Sequence, residues 1–325
     1  MNELLEKAAT ALRDAESVAI ACHVNPDADA LGASLGLSNF LRARGARTMC
    51  SFPNEPFQPP RWLSVLPGAD ALVPPAEFPA DPVVMVTCDV ASMDRLGMLA
   101  RSAARAQTLI WIDHHVSNEG LGTIPLIDPR ASSTCEIVWR LVREIGGEVP
   151  VGTATCLYAG LVTDTGRFQY EAVTPETLRL AAELREFGFD HTRLVQALYD
   201  DNATAYLRLL GTALERITVE DDLVWTYLTQ ADLSDAGVNA TETDDLIDVV
   251  RTAREADVAA VLKQQRDGRF KVSVRSKGGH DVATVAAAFG GGGHRLAAGY
   301  TSKHGLSETV GRLNAALRGE TAVEG

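Results

Sequence analysis

The sequence predicts an α/β protein with a parallel-sheet first domain, a helical connector and a smaller mixed α/β second domain. Three observations carry this. Val18–His23, Val83–Asp89 and Thr108–Asp113 are near-continuously apolar runs, each ending on a carboxylate or an imidazole. Such runs suit strands of a parallel sheet covered on both faces. Helical patterns separate most of the elements that follow. Beyond residue 218 the pattern changes to a strand, a helix and a hairpin. A chain of 325 residues with 46% apolar content has material for two cores. The expected boundaries are 1–189, a connector over 190–218, and 219–325.

The elements follow in order. Met1 to Arg13 reads as an amphipathic helix with mixed charges rather than a signal peptide. After the first strand, Leu31, Leu35, Leu37, Phe40 and Leu41 mark a helix that Gly45 stops. Nine of the 14 prolines fall between Pro53 and Pro82, which predicts an irregular covering loop. Asp128-Pro129 precedes a helix with Ser133-x-x-Glu136 as its capping box and Gly146-Gly147 at its end. Thr174-Pro175 opens another, closed by Gly188. In the second domain, Leu223–Thr229 reads as a strand and 244–256 as a helix. Val258–Lys263 and Phe270–Arg275 form a hairpin around Asp267-Gly268.

Charge and cysteine usage narrow the function. The net charge of −13 disfavours a protein that tracks long nucleic acid. One basic stretch stands out from Lys263 to Arg295, and it could offset repulsion of a phosphorylated substrate. The five cysteines are odd in number and none forms a C-x-x-C pair, so free buried thiols in a reducing cytoplasm are expected. No apolar run is long enough to span a bilayer, so no membrane partner is expected.

The chemistry-bearing residues cluster at strand ends. His23-Val-Asn-Pro-Asp27-Ala-Asp29 follows the first run, and Pro26 makes it a loop. Asp89 and Asp113-His114-His115 follow the next two. Asp164 lies just after a further apolar segment. Ligands of open parallel sheets bind outside the carboxyl ends of strands. An aspartate there is often just a helix cap, but capping does not explain three histidines and five aspartates together. Imidazoles with several carboxylates form the donor set for manganese or a similar divalent ion. Near the C-terminus, Gly290-Gly-Gly-Gly293-His294 can place N–H groups around an anion. Arg275-Ser276 ends the hairpin strand close to it in sequence. Arg167 is as readily a surface arginine as a phosphate contact.

The Asp113-His114-His115 triplet, His23-x-x-x-Asp27-x-Asp29, Asp89 and Asp164 resemble the motif set of the DHH phosphoesterase superfamily. The glycine run with His294 resembles the DHH-associated domain. The likeness covers nearly the whole chain and points to the bifunctional oligoribonuclease and pAp-phosphatase type. It implies two divalent metal ions, manganese by preference. His23 and Asp27 would hold the first, Asp29, His114 and Asp164 the second, and Asp89 would bridge both. His115 would face the substrate phosphate, and Asp113 would orient the histidines. Arg275, Ser276, Gly291, Gly292, Gly293 and His294 would hold the nucleotide, with Arg167 as a further contact. Implied substrates are short RNA, 3′-phosphoadenosine 5′-phosphate (pAp) and dinucleotides, linear or cyclic. A homodimer is compatible with this type.

Three alternatives compete. A family II pyrophosphatase shares the N-terminal motifs, but the Gly290–His294 run argues against it. A RecJ-type exonuclease would need further domains and a basic channel. A non-catalytic nucleotide sensor should have lost ligands, and none is missing here.

Overall fold

The computed structural model describes residues 1–118 and 120–319. The chain divides into two compact units, Met1–Asp201 and the chain from Asn202 onward.

The first unit begins with α1 (Asn2–Arg13), β1 (Ser17–Cys22), α2 (Ala28–Ala43) and β2 (Arg47–Ser51). Then come β3 (Val84–Cys88), α3 (Ala100–Arg105), β4 (Thr108–Asp113) and β5 (Ile124–Ile127). Four helices follow: α4 (Thr134–Ile145), α5 (Val151–Asp164), α6 (Pro175–Arg185) and α7 (His191–Tyr199). The sheet order is β2-β1-β3-β4-β5, and every neighbouring pair is parallel. The three apolar runs form its centre. Sequence reading missed the outer strands. β2 is mixed in character, and β5 contains Pro125, which is tolerated at an edge because no ladder N–H is needed there.

Register positions the site. Cys22 pairs with Cys88, and Cys88 pairs with Ile112. The residues one step further, His23, Asp89 and Asp113, therefore share a row at the carboxyl edge of the sheet. The Asp89 N–H continues the ladder to the Ile112 carbonyl at 2.9 Å. Asp89 takes a φ of +61°, a left-handed conformation that turns its side chain out of the strand direction.

α2 is buried along most of its length because α5 packs against it at close range. Glycines permit the approach. A Cβ on Gly32 would lie 2.5 Å from the Cys156 carbonyl oxygen, and one on Gly36 would lie 2.8 Å from the Leu157 side chain. α5, read from sequence only as an apolar segment, is a core helix with Asp164 at its last turn.

The proline-rich stretch 53–82 holds only short 3-10 turns, at Arg61–Val65, Ala69–Ala71 and Pro75–Glu77. The five cysteines are free and buried. Among the described residues, no helix is long and apolar enough to cross a membrane.

The second unit contains α8 (Thr204–Glu215), β6 (Thr218–Glu220), β7 (Leu223–Leu228), α9 (Gln230–Ala236), α10 (Leu246–Val250), β8 (Val258–Gln264) and β9 (Phe270–Ser276). It continues with α11 (Val282–Ala288), β10 (Gly292–His294), β11 (Ala297–Ser302) and α12 (Leu306–Leu317). Its sheet runs β10-β11-β9-β8-β7-β6, with only the β7–β8 pair parallel.

The stretch 190–218, expected as a helical connector, holds α7 and α8. Leu194 of α7 is buried in the core of the first unit, and Leu209 and Ala213 of α8 in a core of the second. The helix expected over 244–256 is only Leu246–Val250, because Thr252 Oγ1 and the Ala253 N–H turn back to the Val249 and Val250 carbonyls.

Candidate metal centre and catalytic cluster

His23 leaves the end of β1 and Asp27 caps α2. Asp27 Oδ1 accepts the Asp29 and Ala30 N–H groups at 3.0 and 2.9 Å. Its other oxygen stays available, 3.9 Å from His23 Nε2. Asp27 is thus both cap and candidate ligand, one oxygen for each. Asp29 sits in the first turn of α2, not in a loop. Its two carboxylate oxygens accept the N–H groups of Thr134 and Cys135, at 2.7 and 2.9 Å. These amides open α4, where the helix dipole favours an anion.

Asp89 lies at the centre and is buried. Its Oδ2 is 3.3 Å from His23 Nε2, and its Oδ1 is 3.6 Å from His114 Nε2. His114 Nε2 is also 3.3 Å from Asp164 Oδ2. Two ligand groups therefore share Asp89: His23 with Asp27, and His114 with Asp29. The distal nitrogens are placed by carbonyls. His23 Nδ1 is 2.8 Å from the Val24 oxygen, and His114 Nδ1 is 3.3 Å from that of Ala131. With protons assigned to those nitrogens, both Nε2 lone pairs face the cluster.

Asp113 is fully buried. Its Oδ1 is 2.7 Å from His115 Nδ1 and 2.9 Å from the His114 N–H, while Oδ2 accepts from Asn118 Nδ2 at 2.7 Å. Asp113 thus fixes the backbone of one histidine and the ring of the next.

Electrostatics tests whether cations fit. Burial raises Asp29 to about 6, and the Asp89 charge adds to it. Burial pushes Asp164 up well above the usual carboxylate range, with Asp29 and Asp89 contributing. Burial also opposes ionisation of Asp89, but the His23 hydrogen bond and the facing imidazoles outweigh it and hold its carboxyl low. Carboxylates crowded this way hold protons unless cations share them. The donors are imidazole and carboxylate oxygen without thiolate, the set expected for manganese-like ions. The residues fit such a group.

Sequence reading missed three contributors. Thr134 donates its hydroxyl to Asp89 Oδ1 at 3.0 Å, Asn118 buttresses Asp113, and the Arg95 carbonyl accepts the Val24 N–H at 3.0 Å, fixing the chain beside His23. The Ser133-x-x-Glu136 pattern did place a helix start beside Thr134. Ser133 Oγ accepts the Glu136 N–H, but the Glu136 carboxylate turns to the Ser132 N–H and hydroxyl instead of completing the box.

The second unit corrects several expectations. The glycine run is not an open anion loop. The Gly290 and Gly291 N–H groups close α11 onto the Ala287 and Ala286 carbonyls. Gly292 and Gly293 lie in β10, paired with Gly299 and Ala298. A Cβ on Gly291 would lie 2.2 Å from the Gly299 oxygen, and one on Gly293 would lie 2.4 Å from the Ala297 oxygen. Close strand packing explains these two glycines; Gly290, at a φ of +75°, and Gly292 face open space.

Ser276 is committed too. Its hydroxyl donates to Asp257 Oδ2 at 2.7 Å and accepts the Gly278 and His280 N–H groups. The basic stretch is largely paired off. Lys263 is buried against Asp244, Lys271 reaches the same carboxylate, Arg269 holds Asp267, and Lys277 caps carbonyls. Arg275 and His294 are half-buried, and Arg275 Nη1 donates to the Val274 carbonyl. Arg167, in the first unit, is exposed, and its guanidinium lies 4.0 Å from the Tyr199 ring centroid.

Comparison with known proteins agrees with this arrangement. Residues 17–161 match the DHH family N-terminal domain, and residues 222–321 match the DHHA1 domain. The chain is 34% identical to the bifunctional oligoribonuclease and PAP phosphatase NrnA of Thermus thermophilus, over 93% of this chain and 89% of that one. It is 28% identical to the NrnA of Bacillus subtilis, over 85% and 86%. A crystal structure of an exopolyphosphatase-related protein from Bacteroides fragilis superposes with a TM-score of 0.90 at 26% identity, covering 98% of this chain and 96% of that one. The chain belongs to the DHH family, as a member of its bifunctional oligoribonuclease and PAP phosphatase type with a DHHA1 domain after the DHH domain.

Proposed function

We propose that this protein is a two-metal hydrolase that cleaves short oligoribonucleotides, dinucleotides included, to mononucleotides and converts pAp to AMP. The observation that carries the reading is the division of Asp89, whose two oxygens face two different ligand groups. Relatives named as oligoribonuclease and PAP phosphatase support the substrate class.

His23, Asp27 and Asp89 would hold one ion, and Asp29, Asp89, His114 and Asp164 the other, with manganese preferred. Two such ions would lower the pKa of a bound water toward about 7 and offset charge on the phosphoryl oxygens. The chain's own groups do the rest. Burial opposes a charge on His115, but the Asp113 hydrogen bond and the Asp89 charge raise its pKa to about 8, and on this reading it acts as the protonated imidazole. Asp113 Oδ1 fixes Nδ1, so Nε2–H points its proton outward. As the water oxygen bonds to phosphorus, releasing its own proton to solvent, and the ester P–O bond breaks, the His115 proton passes to the departing oxygen. On this reading Arg275 and His294 contact the nucleotide, and Gly292 allows close backbone approach. Arg167, over the Tyr199 ring, is a further phosphate contact on this reading. The protein then works in the cytoplasm on small substrates, with neither membrane nor long nucleic acid as partner.

One panel with manganese tests this: pyrophosphate, pAp, RNA from dimers to 20-mers, and cyclic dinucleotides. Turnover of pAp and RNA dimers, abolished by chelation, is expected. Activity on pyrophosphate alone would overturn the reading.

A further inference from the structure

Thr134 opens α4 and is fully buried, yet its hydroxyl does not cap its own helix. It donates to Asp89 Oδ1 at 3.0 Å. The same residue's N–H donates to Asp29 Oδ2 at 2.7 Å, and the next N–H, of Cys135, to Asp29 Oδ1 at 2.9 Å. One residue thus touches two carboxylates from different elements, Asp29 in the first turn of α2 and Asp89 just after β3. Asp89 Oδ1 is also the oxygen that faces His114 and His115, each at 3.6 Å. The opposite oxygen faces His23.

A carboxylate that serves two ligand groups must keep its plane fixed. If it rotates about the Cβ–Cγ bond, one oxygen improves its aim while the other loses it. A hydroxyl proton on one lone pair of Oδ1 sets that plane and leaves the second lone pair directed into the cluster. The ladder bond from the Asp89 N–H to the Ile112 carbonyl holds its backbone, but with a φ of +61° the side chain leaves the strand direction, and its plane is set by the contacts the carboxylate itself makes.

We propose that Thr134 is a positioning residue for the reaction: its hydroxyl sets the carboxylate plane of Asp89 so that both oxygens are presented at once, while its N–H holds Asp29 in the same frame. This rests on the two-metal reading above. Thr134 touches no substrate, and its effect passes through Asp89. Loss of the hydroxyl weakens capture of the ion held by Asp29, Asp89 and His114 and slows turnover, leaving substrate affinity in place.

The test compares Thr134→Ser with Thr134→Ala, which differ by the hydroxyl alone, and adds the near-isosteric Thr134→Val. Each full-length protein is stripped of metal and titrated calorimetrically with manganese. Its unfolding midpoint is recorded, and kcat and KM are measured with an RNA dimer. Thr134→Ala and Thr134→Val should lose about 10–100-fold in affinity for one of two ions or in kcat, with KM little changed. Thr134→Ser should keep most of both. The unfolding midpoints of the Ser and Ala variants should be similar, so a packing defect would not separate them. Equal behaviour of Thr134→Ser and Thr134→Ala, or a loss confined to KM, would overturn the role of Thr134 while leaving the two-metal reading intact. Wild-type protein that takes up no metal would refute that reading, and this proposal with it.

Discussion

Gly160 of α5 lies directly against Asp29 of α2: a Cβ at 160 would stand 2.8 Å from Asp29 Oδ1 and 2.3 Å from Cys135 Sγ. The missing side chain lets a buried carboxylate sit between three helices. Gly160→Ala should therefore push Asp29 off the amides of α4. The expected outcome is a loss of about 1–3 kcal/mol in stability from overpacking, together with weaker manganese binding. Chemical denaturation and metal titration check the two effects; a stable variant with normal metal uptake would count against this packing account.

Asp89→Ala should be the most damaging single change to turnover, because one side chain serves both ligand groups. A fall of at least about 10²–10³-fold in kcat is expected, the range seen when a group stabilising the transition state is removed. Near-normal kcat in this variant would refute the bridging role.

Arg275 and Ser276 are neighbours with opposite assignments. Arg275→Ala should raise KM for pAp and leave metal binding unchanged. Ser276→Ala should leave KM alone and destabilise the second unit by about 1–3 kcal/mol, since Asp257 and two N–H groups lose their partner. Steady-state kinetics and thermal melts of both variants decide it; reversed effects would restore Ser276 as a nucleotide contact.

Arg216 grips Asp232 with both guanidinium nitrogens, at 2.5 and 2.8 Å. That hydrogen bond, with those from Thr229, holds the Asp232 carboxyl well below its usual range despite partial burial. Its folded value lies below the unfolded one, near 3.9. The stabilisation is therefore complete above about pH 4 and lost as pH falls toward the folded value. The melting-temperature gap between wild type and Asp232→Asn should shrink steadily from pH 5 to pH 2. A constant gap would show that the ion pair does not titrate this way.

Substrate length should matter through charge. With a net charge of −13 and most of the Lys263–Arg295 basic groups paired, a long strand gains few phosphate contacts and meets repulsion within about 10 Å. kcat/KM should fall as RNA grows from two nucleotides toward twenty, and added salt should narrow the difference. Faster cleavage of the 20-mer at low salt would favour a long-strand exonuclease.

Much of the cluster was legible because His23, Asp89 and Asp113-His114-His115 stand at or just after the ends of apolar strands, and a parallel sheet sends all such ends to one edge; Asp164, at the end of α5, is not reached by that rule. His23, Asp89 and Asp113 share a row for that reason alone. Asp27 showed that cap and ligand are not competing descriptions, since each oxygen takes one role. The second unit was harder to read. A missing Cβ at Gly291 or Gly293 serves close strand approach as well as it would serve an anion, and local sequence does not separate the two. Ser276 is bound by Asp257, 19 residues away in the chain, which local pattern does not reveal. α5 escaped notice because a helix buried on nearly every face loses its polar stripe. Thr134 looked like an ordinary first helical residue.

The bond from Thr134 to Asp29 spans 105 residues of sequence. Between them lie four of the five strands and the proline-rich crossover. The amides that hold Asp29 therefore take their place only after α4 has docked beside α2. A chain ending before α4 carries His23, Asp27, Asp29, Asp89, His114 and His115 but lacks the groups that hold Asp29 and orient Asp89. The frame around Asp29 and Asp89 thus rests on bonds between segments far apart in the chain, and it forms only with the fold of the first unit.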